Sequence, residues 1–150
     1  MAQEKKVWEV IKNAGYEPIE NKTIIVKYAP ENLSAKIASF FSTEYYVLQI
    51  CKDEILLIPF DSLAITLKKE VALEIPISSI TSVEVVEDML NYNIILQTEN
   101  DKLILTVQQK ELSDFRTAGM LALNSKGLSL KNWHKENLDE TLESLKNLNK

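Results

Sequence analysis

Closely spaced strand-like stretches between Tyr45 and Gln108 constrain the fold of this chain more than any other feature. Their apolar residues recur with a period of two, as where Leu103, Leu105 and Val107 share one face of the last stretch. The gaps between stretches are too short for a crossover helix, so neighbouring strands are expected to pair antiparallel. The predicted strands are Tyr45 to Cys51, Ile55 to Phe60, Leu63 to Leu67, Val71 to Ile75, Ser82 to Val86, Tyr92 to Thr98 and Leu103 to Gln108.

Two helices and one further strand are predicted before this series. Apolar residues at i, i+3, i+4 and i+7 predict a helix from about Glu4 to Ala14, and Gly15 accepts the left-handed conformation that ends it. The β-branched stretch from Thr23 to Tyr28 is a candidate strand. Pro30 suits the first turn of a second helix, whose apolar face consists of Leu33, Ile37, Phe40 and Phe41.

Two more segments with helical spacing follow the series. The first runs from Glu111 to Asn124 and carries Leu112, Phe115, Gly119 and Ala122 on one side. The second is expected to begin at Asn137, whose side chain is placed to cap the amide of Glu140. Its apolar stripe consists of Leu138, Leu142 and Leu145.

Composition predicts the class of protein. The 150 residues, 45% of them hydrophobic, suffice to bury about two thirds of the unfolded surface, which predicts a single domain spanning residues 1–150. A net charge of −5 and a single arginine, Arg116, argue against nucleic-acid binding. Cys51 is the only cysteine, so we expect no intrachain disulfide and a cytoplasmic location. No segment has the pattern of a signal peptide or the length of a membrane-spanning helix.

Three segments of the strand series carry the pattern of a known family. They are Tyr45 to Cys51, Asp53 to Ile58 and Ile75 to Val85, where Ile80 and the tetrapeptide Ser82-Val83-Glu84-Val85 are the most distinctive. This region resembles the bacterial PH-like (YokE-like) family, and the similarity covers about half of the chain, from Tyr45 to Leu123. It continues through Asn93 to Thr98 and Leu103 to Val107 into Glu111 to Phe115.

The resemblance implies an α+β, mainly β fold: a PH-like barrel of two roughly orthogonal antiparallel sheets, capped by a helix after the last strand. Residues 1–43 would form an N-terminal extension, residues 44–124 the core with its capping helix, and residues 125–150 a C-terminal helical extension. PH domains that bind phosphoinositides use basic residues in the first hairpin loop, but the matching turn here, Lys52-Asp53-Glu54, is net negative. We therefore expect neither phosphoinositide nor membrane binding.

Residues that usually carry chemistry are scarce. His134 is the only histidine and sits among charged neighbours, so we expect it to be solvated, whereas Cys51 ends an apolar strand and is expected to be buried. One histidine and one cysteine do not make a structural zinc site, and no phosphate-binding or nucleophile motif is present. The sequence therefore predicts no catalytic residues, no cofactor and no bound metal.

The function predicted from these features is a non-catalytic module for protein interaction or self-assembly, with a protein partner or further copies of the chain. The candidate contact residues are Tyr46, Tyr92, Trp133, Leu138, Leu142 and Leu145, although the three leucines are first expected to pack back on the domain. The alternative is a small-ligand-binding domain or enzyme of the α+β cone type (nuclear transport factor 2-like). That fold requires the N-terminal helices to cover the concave face of the sheet.

Overall fold

Antiparallel strands dominate the architecture. The computed structural model describes residues 4–28, 45–61, 66–67, 73–88, 91–99, 101–108, 123–126 and 129–148. Within these residues the elements are α1 (Glu4–Asn13), β1 (Pro18–Tyr28), β2 (Tyr45–Cys51), β3 (Glu54–Asp61), β4 (Thr66–Leu67), β5 (Leu73–Pro76), a short 3-10 helix (Ile77–Ser79), β6 (Ile80–Asp88), β7 (Asn91–Thr98), β8 (Lys102–Gln108), β9 (Leu123–Lys126), β10 (Ser129–Asn132) and α2 (Trp133–Lys146). The predicted α+β, mainly β class is confirmed.

Strands β1 to β8 form one open, strongly curved sheet. Its order is β4-β3-β2-β1-β8-β7-β6, and β5 also pairs with β3, while β9 and β10 form a separate hairpin. Only the 3-10 helix separates β5 from β6, although these strands lie at opposite ends of the sheet. The four Cα steps from Pro76 to Ile80 span at most about 15 Å, whereas six interstrand spacings in a flat sheet would span about 29 Å. The sheet must therefore roll up to bring its two ends together.

The concave face of the sheet holds the larger hydrophobic core. It gathers residues from both ends of the sheet, such as Ile55 of β3 and Val83 of β6, and it also includes the leucine stripe of α2. Leu138 and Leu145 are fully buried there, and Leu142 is 7% exposed. Helix α2 therefore fills the opening of the curved sheet. This agrees with the expectation that its leucine stripe packs back on the domain.

Helix α1 covers the opposite, outer face of β1 to β3. Its residues Val7 and Ile11 are fully buried against a second cluster that includes Ile25, Val47 and Leu56. These strands are consequently buried on both faces, which explains the unbroken apolar run in β3. The α+β cone alternative requires both predicted N-terminal helices to cover the concave face. Helix α1 covers the outer face instead, and the second predicted helix lies outside the described residues.

A buried polar network lies beside this contact. The indole Nε1 of Trp8 donates to the hydroxyl of Thr23 at 3.1 Å, and that hydroxyl donates to Oε1 of Gln49. The amide nitrogen of Gln49 donates to the carbonyls of Ile50 at 2.7 Å and Ile19 at 2.9 Å. Thr23 and Gln49 are fully buried, so these bonds offset the cost of removing their polar groups from water.

Side chains of α2 complete the edge of β1. This strand pairs with β8 only at Lys27 and Tyr28, so none of the described strands lies beside its earlier residues on that side. There, Nδ1 of His134 accepts from the backbone N–H of Ile25 at 2.9 Å, and Nδ2 of Asn137 donates to the carbonyl of Thr23 at 3.0 Å. The helix thus supplies both apolar contacts to the core and polar partners for the strand backbone.

Most of the predicted elements agree closely with the structure. The predicted strand after the first helix is present and begins earlier, at Pro18, and Gly15 has the positive φ of 96° expected where that helix ends. The eight strands β1 to β8 of the described residues form one hydrogen-bonded sheet. Pro59 lies inside β3, between the residues that pair with β5 and those that pair with β4.

Two helix predictions need correction. The last helix begins at Trp133, four residues before Asn137, and the amide of Asn137 bonds to β1 instead of capping the helix. Leu123 and Asn124, predicted to end a helix, belong to β9. The rest of that predicted helix, including Phe115, and the predicted helix after Pro30 lie outside the described residues.

Candidate protein interface

His134 has a structural position. The prediction that it is solvated is wrong, because its side chain is fully buried between α2 and β1. Its Nδ1 accepts the N–H of Ile25 and must therefore be unprotonated. That nitrogen is fully engaged in the fold, and the residue is not exposed to a substrate.

Cys51 is buried, as predicted. Its side chain is fully enclosed in the cluster beneath α1, and desolvation, with a smaller contribution from the negative charge of Glu54, raises the pKa of the thiol to about 12. A thiol with so high a pKa is protonated at neutral pH and is a poor nucleophile. Among the described residues, no group of three or more His, Cys, Asp or Glu side chains is placed to hold a metal ion.

Negative charge gathers at the turn between β2 and β3. Burial, followed by the charges of Asp53, Glu74 and Glu17, raises the pKa of Glu54. The hydroxyl of Tyr16 donates to Oε2 of Glu74 at 2.5 Å, and this bond is the main cause that raises the pKa of Tyr16 to about 12. A phosphate group approaching this corner would meet several carboxylates, which is the electrostatic reason for expecting no phosphoinositide there.

The aromatic contact candidates differ in accessibility. Tyr46 is fully buried in the concave core, so the expectation that it faces a partner is not compatible with this packing; Tyr45, its neighbour on the other face, is partly exposed. Tyr92 is partly exposed and packs against the edge of the same core. Trp133 is the first residue of α2, and its side chain lies outside the described residues.

The leucine candidates are likewise enclosed. Leu138, Leu142 and Leu145 belong to the core cluster, where they contact the sheet of their own chain. Alternation alone did not reveal that both faces of β2 are covered, and the helical stripe did not reveal that it packs against the sheet of its own chain. These leucines therefore stabilise the fold and are not accessible to a partner.

The outer face of β6 to β8 carries accessible apolar side chains. Glu84, Ile95 and Ile104 form one row across the three strands, with Val86 on the neighbouring row. Val86 is 45% exposed, and the two isoleucines are partly exposed. The predicted strand from Ser82 to Val86 forms the edge of this surface, in β6, although its side chains were not singled out from the sequence.

The backbone of β6 forms the adjoining sheet edge. Among the described strands, β6 pairs only with β7. The amide of Thr98 donates to the carbonyl of Asp101 at 2.8 Å, so the even-numbered residues of β7 direct their backbone groups towards β8 and the odd-numbered ones towards β6. Ile95 is odd-numbered and pairs with Glu84, so Glu84 directs its backbone groups towards β7. The backbone N–H and C=O of Val83 and Val85 therefore point the other way, along the plane of the sheet and away from β7.

The chain was compared with known proteins. No protein-family model matches it, and no curated protein sequence matches it significantly. Among the described residues, no helix is both long enough and apolar enough to cross a membrane.

Proposed function

We propose that this protein is a non-catalytic, PH-like interaction module that binds an extended segment of a protein along the edge of β6. The observation that carries the proposal is the outward-facing backbone of Val83 and Val85 in an outermost strand of nine residues. A row of outward N–H and C=O groups is the template to which a further strand adds. The exposed Val86 beside it provides apolar contact area.

The PH-like part of the proposal is supported by the order of the strands and by the helix that fills the opening of the curved sheet. Two antiparallel halves, β1 to β5 and β6 to β8, follow each other along the chain and join through β1 and β8. A helix after the last strand fills the opening, as in PH-like domains, although in this chain α2 has that position. The segment from Tyr45 to Leu123 that resembles the bacterial family includes β2 to β8.

A non-catalytic role is consistent with the packing. His134 and Cys51 are fully enclosed in the fold, and the concave face that a substrate pocket would use is filled by α2. The proposal includes a cytoplasmic location, because the only cysteine is a buried thiol. The proposed partner is a protein, either another protein or a second copy of this chain.

The test is selection of random nine-residue peptides on the purified protein, with hydrogen exchange as the structural readout. The proposal expects bound peptides to slow exchange of the Val83 and Val85 amides, because these N–H groups become hydrogen-bonded. It also expects V85P to lose binding, since proline removes one outward donor. Peptides that bind without protecting these amides, or that bind V85P equally well, would contradict the proposal.

A further inference from the structure

The edge of β6 places an acidic side chain where an added strand makes its closest side-chain contacts. An antiparallel strand bonded to Val83 and Val85 would face Ser82, Glu84 and Val86 at the intervening, non-hydrogen-bonded positions. Directly opposite Cβ atoms lie about 4.5–5.5 Å apart in antiparallel pairs and are closest at such positions. Glu84 is exposed, so its charge is available to the incoming side chain.

A second copy of β6 does not suit this edge. Two-fold pairing centred on Glu84 would put the two Glu84 side chains directly opposite each other, and pairing centred on Val83 or Val85 would put them diagonally, about 7–8 Å apart. Strand β6 contains no lysine or arginine that could compensate, and the whole chain has a net charge of −5. Like charges at these distances disfavour self-pairing, whereas the same geometry favours a cation.

We propose that the β6 edge selects an extended segment of a different protein with the pattern apolar-x-basic, the basic residue opposite Glu84 and the apolar residue opposite Val86. This inference rests on the proposed function and adds the chemistry of its partner. In an antiparallel pair the residue opposite Val86 precedes the one opposite Glu84 by two positions, which sets the spacing.

The composition of the selected nine-residue peptides tests this inference separately from the proposed function. Among peptides that protect the Val83 and Val85 amides, we expect enrichment of lysine and arginine two positions after an apolar residue. Peptides that protect these amides without such enrichment would overturn the inference and leave strand addition in place. If no selected peptide protects these amides, strand addition itself fails, and the inference falls with it.

Charge reversal provides the matched test at one residue. One selected basic peptide and the same peptide with glutamate at the basic position are titrated against wild type, E84K and E9K by fluorescence anisotropy. Both substitutions change the net charge equally, but Glu9 is an exposed residue of α1, on the part of the sheet's outer face formed by β1 to β3. We expect E84K to lower the preference for the basic peptide about tenfold or more and E9K to change it less than twofold.

Two results would refute the inference, one from this titration and one from light scattering. An equal loss of preference in E84K and E9K would show that net charge, and not the position of Glu84, attracts the basic peptide. The other is a wild-type dimer in light scattering that V85P converts to a monomer, because this result would identify a second copy as the occupant of the edge.

Discussion

Substitution of Leu138 by alanine tests whether α2 holds the curved sheet together. Leu138 is fully buried in the concave core, and the change removes three carbon atoms from that site. At about 0.8 kcal/mol for each buried carbon group, the lost burial amounts to about 2.4 kcal/mol, and the cavity left behind brings the expected loss of unfolding free energy to about 3 kcal/mol. For a domain of this size that corresponds to a fall in melting temperature of roughly 6–12 °C.

Urea denaturation followed by far-ultraviolet circular dichroism measures this loss directly. The midpoint should fall while the slope with urea stays the same, because the surface exposed on unfolding hardly changes. E143A is the matched control, since Glu143 is an exposed residue of the same helix and its removal should change stability by less than about 0.5 kcal/mol. If L138A lowers the free energy of unfolding by less than about 1 kcal/mol, the assignment of α2 as the helix that fills the concave face of the sheet is refuted.

Three further predictions concern the edge of β1, the buried thiol and the edge of β6. H134L should lower the free energy of unfolding by about 1–3 kcal/mol, measured by urea denaturation, because the buried N–H of Ile25 loses its acceptor; a neutral substitution would contradict that role. The pKa of the Cys51 thiol is raised from an ordinary 9.0 to about 12, so the stability that this thiol contributes is complete below pH 9 and is lost as pH rises towards 12. The melting temperatures of wild type and C51A should therefore converge over that range. Parallel curves would contradict this expectation. E84P should be less stable than V85P in thermal melts, because proline at 84 removes an N–H that bonds to β7, whereas proline at 85 removes an N–H that points away from β7. The reverse order would refute the assignment of Val83 and Val85 as the residues whose backbone groups face away from β7.

Local pattern predicted most of the strands and the first helix correctly. Period-two hydrophobicity and turn residues identify β2, β3, β7 and β8 to within one residue at each end, because strand alternation is a property of neighbouring residues. The end of α1 was likewise predicted from a single glycine, Gly15, which adopts positive φ at no steric cost. Such features depend on contacts between residues that are close in the chain.

The β9–β10 hairpin and the true start of α2 were not predicted. Asn137 has the residue type of a helix cap, but its side chain is used by β1, and Trp133 begins the helix instead. The propensity for a cap is weak compared with the cost of leaving the buried carbonyl of Thr23 without a donor. Tertiary contacts therefore overrode the local signal at this position.

At the candidate site, too, local pattern predicted the strand, and tertiary structure decided its position in the sheet. The alternation of Ser82 to Val86 predicted a strand, but only the order of strands in the sheet shows that this strand is outermost and that Val83 and Val85 direct their backbone outward. Tyr46 and Tyr45 were equivalent by pattern, and the filling of the concave face by α2 decided that Tyr46 is buried.

By itself, the sequence determined the mainly β class, the limits of most strands and the scarcity of catalytic residue types, because each follows from composition or from neighbouring residues. Only the tertiary structure decided which edge of the sheet is accessible, which side chains plug its opening and why the single histidine is buried. The reason is distance along the chain: His134 binds a strand 109 residues earlier, and no local pattern encodes a partner so far away.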